Sequence, residues 1–178
     1  MITLGQAHET EVTLERAGAT TEFWTRVAQN LELAKAVVAL VMSTVFRLVV
    51  NVERDMTDWI CLEPVDAEEG EFEPFLVEFL AEKEPYVGGE EMVKRAKEKN
   101  ALTGLRHAEA MLRNQEKIPV EWRKYCLVFT EVWQFADGNR DVWCLYWDGE
   151  HWCLDYYWLS FSFISSYRLV GSRKYQKK

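Results

Sequence analysis

Residues 141–156 read Asp-Val-Trp-Cys-Leu-Tyr-Trp-Asp-Gly-Glu-His-Trp-Cys-Leu-Asp-Tyr, and no other stretch constrains the fold as strongly. Large apolar side chains alternate with mixed ones on either side of Asp148-Gly149, a strong short-range hairpin signal. With a two-residue loop, Leu145 faces Trp152 and Trp143 faces Leu154. With a four-residue loop, Asp148 to His151, the pairing shifts by two. Successive side chains of a strand point to opposite faces, so both registers give the same division. Trp143, Leu145, Trp147, Trp152 and Leu154 share one face; Cys144, Tyr146, His151, Cys153 and Asp155 share the other. Burying large apolar side chains at about 1.5–3 kcal/mol each favours the first face as the buried one. The expectation is that this Trp/Leu face packs on helices while the mixed face looks outward or into a cleft. Cys144 and Cys153 are directly opposed only with the shorter loop.

The helices expected to cover that face lie upstream. Gly88-Gly89 opens a helix over 90–99 with an acidic first turn and a basic last turn, an order that suits the helix dipole. A second helix is expected from Thr103 to about Gln115, with Leu105, Ala108 and Leu112 along one side. A strand, with helix as the alternative, is expected over 75–80, further strands over 125–132, 141–147, 152–156 and 167–170, and Ala136 to Asn139 is a turn. Residues 1–72 read as a smaller α/β region: a strand over 9–15, a helix capped by Thr20 or Thr21 and running to Asn30, an apolar helix over 31–43, and strands over 46–52 and 59–62. Asp66 to Glu73 carries five carboxylates and one Gly, so it reads as a solvated loop and the likeliest boundary. The fold class that follows is α+β, with an N-terminal region over 1–72 and a C-terminal domain over 73–178.

Composition excludes several function classes. The 178 residues carry 29 acidic and 21 basic side chains, a net charge of -8, so no sequence-wide basic field for nucleic acid exists. The longest apolar run, Ala36 to Phe46, is too short to span a bilayer. Met1 to Gly18 holds Glu9, Glu11 and Glu15 and no apolar core, so no signal peptide is expected and the cytoplasm is the default compartment. The four cysteines form no C-x-x-C pair and read as reduced, mostly buried thiols.

Residues 153–167 are unusual in composition. They contain Tyr, Ser and Phe in quantity and no Lys, Glu, Gln or Met. Those four types make up about a fifth of ordinary sequence, so their joint absence arises by chance roughly one time in twenty. Tyr and Ser also dominate antibody paratopes, where Tyr supplies contact area at low entropy cost and Ser adapts its hydrogen bonds.

Several segments carry a family resemblance. They are Gly89-Glu90-Glu91-Met92-Val93-Lys94-Arg95-Ala96, Gly104-Leu105-Arg106-His107-Ala108-Glu109, and Leu127-Val128-Phe129 followed by Trp133. The ending adds Leu145-Tyr146-Trp147-Asp148-Gly149, Trp152-Cys153-Leu154, Trp158-Leu159 and Tyr167-Arg168-Leu169-Val170. Over roughly the last ninety residues the chain resembles the variable proteins of diversity-generating retroelements. In that family an error-prone reverse transcriptase misreads template adenines, and the altered copy replaces the 3′ end of the variable gene. An Asn codon mutated in this way cannot become Lys, Glu, Gln, Met or Trp.

The resemblance therefore implies that Asp148, His151, Cys153, Asp155, Tyr156, Tyr157, Ser160, Phe161, Ser162, Ile164, Ser165 and Ser166 are diversified, ligand-binding positions. It implies that Trp147, Gly149, Trp152, Leu154, Trp158, Leu159, Arg168 and Leu169 form an invariant frame. Glu150 departs from the Asn rule, and Phe163 stands where a frame Trp is expected. A C-type-lectin-like fold, a macromolecular ligand of protein class, no cofactor, no metal and no catalysis are implied with it; nucleic acid and membrane are not expected partners.

The competing reading is a small enzyme or metal-binding domain. His151, Cys153 and Asp155 lie at period-2 spacing on the mixed face with Cys144, donors suited to zinc or copper. No G-x-S-x-G or G-x-G-x-x-G motif occurs, and His107 sits mid-helix, where a structural role is expected. The carboxylates from Asp66 to Glu73 and the basic tail Arg173 to Lys178 read as solvated surface.

Overall fold

A computed structural model describes residues 20–41, 44–49 and 54–175. The chain separates into two compact units, Met1–Ser43 and Thr44–Lys178. In the first, α1 (Thr21–Gln29) is capped by Thr20, whose hydroxyl accepts from the Phe23 amide at 3.3 Å. α2 (Leu31–Val41) follows at once, with the Asn30 side chain accepting from the amides of Glu32 and Leu33, both at 3.1 Å. The strand expected over 9–15 lies outside the described residues.

The second unit is α+β. Its strands are β1 (Phe46–Leu48), β2 (Trp59–Glu63), β3 (Gly70–Val77), β4 (Tyr86–Gly88), β5 (Cys126–Phe135), β6 (Arg140–Trp147), β7 (Trp152–Trp158), β8 (Ser162–Ile164) and β9 (Tyr167–Lys174). Its helices are α3 (Gly89–Glu98) and α4 (Leu105–Arg113). Seven strands form one sheet in the order β1-β3-β9-β5-β6-β7, with β2 paired to the far end of β5; β4 and β8 form a separate two-stranded ribbon. All pairings are antiparallel except β5 with β9. The boundary expected after residue 72 falls inside β3, and the compact unit begins at Thr44 because β1 pairs with β3 and β2 with β5. β3 also begins earlier than expected. Its exposed Glu71 and Glu73 alternate with buried Phe72 and Pro74, so half of the acidic stretch is strand rather than loop.

Two clusters of buried side chains lie on opposite faces of the sheet. One joins Leu127, Phe129, Trp143, Leu145, Trp152 and Val170 to Leu105, Ala108 and Met111 of α4. The other joins Val128, Val132, Val142, Cys144 and Leu169 to Met92, Val93 and Ala96 of α3. The expectation that both helices cover the Trp/Leu face is thus corrected: α4 lies there and α3 lies on the other side. β5 and β6 are apolar on both faces, Cys144 counts as a small hydrophobe, and a strand apolar on both faces needs cover on both.

Two glycines mark close approaches. A Cβ on Gly89 would lie 2.6 Å from the Leu159 carbonyl oxygen, which accepts from the Gly89 amide at 3.1 Å. This contact ties the start of α3 to the end of β7. A Cβ on Gly104 would lie 2.6 Å from the Glu131 carboxylate. That buried carboxylate accepts from the Leu105 amide at 3.0 Å, the Val65 amide at 3.1 Å and the Trp133 indole at 2.8 Å. It joins α4, the segment before β3, and β5 at one point.

Candidate functional site

The hairpin takes the longer loop. Trp147 pairs with Trp152, Leu145 with Leu154 and Cys144 with Asp155. Cys144 and Cys153 are therefore not opposed, and all four cysteines are free. The loop is an Asx turn: Asp148 Oδ1 accepts from the amides of Glu150 and His151, both at 2.8 Å. Gly149 sits at φ 116°, a conformation that disfavours any side chain, which gives this frame residue a backbone reason. The Trp147 and Trp152 rings meet edge to face at 5.9 Å and anchor both stems of the loop.

Of the twelve positions implied to vary, ten are exposed, Cys153 and Tyr157 are half-buried, and none is buried. Between them stand buried Trp152, Leu159 and Leu169. Phe163, at 1% exposure, is packed in the core as a frame residue would be. Trp158 is more open than a frame position should be and stacks on Phe161 at 5.1 Å. Leu154 and Arg168 are half-buried. The Arg168 guanidinium donates to the Ser165 and Tyr167 carbonyls and to Glu78, and it lies over the Tyr125 ring at 4.3 Å.

The twelve do not all share one face. Alternation along β7 puts Cys153, Asp155 and Tyr157 on the side of Cys144 and Tyr146. Tyr156 falls on the opposite side, against Trp59 at 4.9 Å and Trp143 at 6.0 Å. Tyr157 packs on Tyr167 at 5.8 Å, which in turn meets Phe163 at 5.2 Å. Burial, followed by the Cys126 thiol, pushes the Tyr157 hydroxyl up to about 12.

On β8, Ser162 and Ile164 point outward while Phe163 points in, and Ile164 pairs with Tyr86 of β4. Tyr86 is 57% exposed and Ile164 45%, so the ribbon presents an apolar pair that sequence reasoning missed. β4 is three residues long, and only its long-range partner gives it away.

At the hairpin tip, donor atoms of Asp148, His151 and Cys153 lie within 4.8 Å of one another. His151 Nδ1 is 3.2 Å from Asp148 Oδ2, and Cys153 Sγ is 3.5 Å from the same oxygen. Asp155, expected in that set, is not among the three. It faces Cys144 further along the strand.

Elsewhere, His107 is buried, its Nδ1 accepts from the Gly104 amide at 3.2 Å, and Phe72 meets its ring edge-on at 5.0 Å. Desolvation lowers its pKa to about 4. The ring borders a cleft of ≈ 360 Å³ lined by residues of the acidic stretch and the end of β9. It caps α4, a structural role. Lys174 belongs to β9 and pairs with Glu68, so the basic tail starts later than expected. Asp141 is almost wholly covered, and neither of its carboxylate oxygens has a hydrogen-bond partner among the described residues. Burial, with Asp137 nearby, raises its pKa to about 6. No described helix is long and apolar enough to cross a membrane.

Compared with known proteins, the chain matches no family model, no curated protein and no solved structure.

Proposed function

We propose that the segment from Asp148 to Ser166 is a hypervariable ligand-binding surface, and that the chain is a variable protein of a diversity-generating retroelement with a C-type-lectin-like C-terminal domain. One observation carries this reading. The resemblance divides the segment into implied variable and frame positions, and burial follows that division in part: no implied variable position is buried, Trp152, Leu159 and Leu169 of the frame are, and Gly149 and Trp158 of the frame are exposed. A chain of ordinary composition has no reason to exclude Lys, Glu and Gln from a mostly exposed segment, because those three types favour surfaces.

The ligand class is macromolecular and the activity is binding rather than catalysis. Phe161 against Trp158 and Ile164 paired with Tyr86 make two exposed apolar patches, with exposed Ser160, Ser162, Ser165 and Ser166 beside them in the sequence. Such a patch suits a protein surface, where aromatic anchors supply most of the binding energy. The test is genomic. DNA downstream of the gene should hold a reverse transcriptase gene and a near-copy of the 3′ end, differing from it at template adenines. A flank with neither element, or a near-copy whose differences ignore adenines, contradicts the proposal.

A further inference from the structure

We infer that Asp148, His151 and Cys153 hold one zinc ion at the tip of the β6–β7 hairpin, through Asp148 Oδ2, His151 Nδ1 and Cys153 Sγ, with a fourth position facing solvent. The geometry is close to what zinc requires. Zinc bonds of about 2.0–2.3 Å in a tetrahedron place neighbouring donor atoms roughly 3.3–3.6 Å apart. The Oδ2–Nδ1 and Oδ2–Sγ separations are 3.2 and 3.5 Å, and all three donors fall within 4.8 Å. The Nδ1–Sγ separation is no more than 4.8 Å, and the exposed His151 side chain has room to turn toward Cys153.

The site is also prepared. Asp148 Oδ1 is held by two loop amides, which leaves Oδ2 aimed at His151 and Cys153. The stems are fixed by the Trp147–Trp152 pair, and the Trp152 amide donates to Gln115 Oε1 at 2.9 Å. The three ligands span six residues, so closing the chelate loop costs little entropy.

The donor set selects the metal. A thiolate, an imidazole and a carboxylate suit zinc, while magnesium and calcium require oxygen ligands throughout. On binding, the Cys153 S–H bond is replaced by a Zn–S bond and the proton passes to solvent. Three protein ligands leave one position for water or for a donor group of a bound molecule. This inference stands apart from the hypervariable reading, because the site is present in this chain whether or not its residues were diversified.

The test uses the full chain, stripped with chelator and titrated with Co²⁺ and then Zn²⁺. The expected result is one equivalent bound, a thiolate-to-cobalt charge-transfer band in the near ultraviolet, and loss of that band as zinc displaces cobalt. Cys153→Ser should abolish the band and weaken zinc binding beyond the roughly 10–100-fold typical of outer-shell changes. His151→Ala and Asp148→Asn should each weaken binding, with metal-free circular dichroism and melting unchanged for all three variants. No thiolate band, zinc binding retained in Cys153→Ser, or equal binding of Mg²⁺ would overturn the inference. The first outcome leaves a plain Asp148–His151 contact, and the second moves the metal to other residues.

Discussion

β5 and β6 are buried on both faces over most of their length, whereas β7 pairs only with β6 among the described strands and buries Trp152 while leaving Asp155 and Tyr156 in solvent. Both regions are rich in aromatic residues; in the central pair Phe129 and Trp143 are buried and Trp133 and Trp147 pack against the same cluster, whereas β7 buries Trp152 alone of its four. The hairpin loop, β8 and the turns beside it continue the β7 pattern: single buried anchors at Leu159 and Phe163 separate runs of exposed side chains. A surface built in this way is set by widely spaced core residues, and most side chains between them carry few packing constraints; Tyr156 and Tyr157, which meet neighbouring rings, carry the most. Position in the sheet, rather than aromatic content, decides which side chains are available to a ligand.

The largest effect should come from the anchors. Trp152→Ala and Phe163→Ala should each cost about 3–5 kcal/mol in urea or thermal unfolding, as large-to-small changes in a packed core do. Equal losses for Phe161→Ala would break the comparison.

Acid should act next, through the buried groups on the core side. An unfolded histidine takes up a proton near pH 6.5, but folded His107 resists protonation until about 4. The unfolded state therefore binds more protons across that window, and stability from this residue falls as pH drops from about 6.5 to 4, by up to about 3 kcal/mol. Imidazole NMR should show His107 neutral in the folded protein at pH 5.5; titration near 6.5 would contradict its burial.

Asp141 carries the opposite sign. Its folded pKa of about 6 lies above the unfolded value of 3.8, so stability falls as pH rises through that window and the full penalty holds above it. Asp141→Asn should raise stability at pH 7 by about 1–2 kcal/mol and should give no gain at pH 4. A destabilised variant at pH 7 would contradict that penalty.

The smallest effects belong to the exposed positions. Ser162→Lys, Phe161→Ser and Ile164→Ser should each stay within about 0.5 kcal/mol in chemical denaturation.

The hairpin was legible because alternation in Trp143, Leu145, Trp147, Trp152 and Leu154 survives any even shift of register. The helices at Gly89 and Leu105 were legible from charge order and apolar spacing. The side of the sheet each helix takes was not, because it depends on Val128, Val132 and Val142 being buried on the face opposite Trp143. The β4–β8 ribbon escaped notice for a similar reason: each strand has three residues, and pairing across the chain defines both. The donor cluster was legible only in part. His151 and Cys153 share a face by period, but Asp148 replaces Asp155 because the Asx turn folds its carboxylate back over them. Tyr156 follows from the same alternation that placed its neighbours, and it belongs with Trp59 on the other face.

The account rests on a fixed frame carrying freely variable positions. The direct measurement is a pair of displayed libraries scored for protease resistance. One randomises the twelve implied variable positions, and the other randomises Trp152, Leu154, Leu159, Phe163 and Leu169. The account predicts that most members of the first library remain folded and few of the second do; similar folded fractions in the two would contradict it.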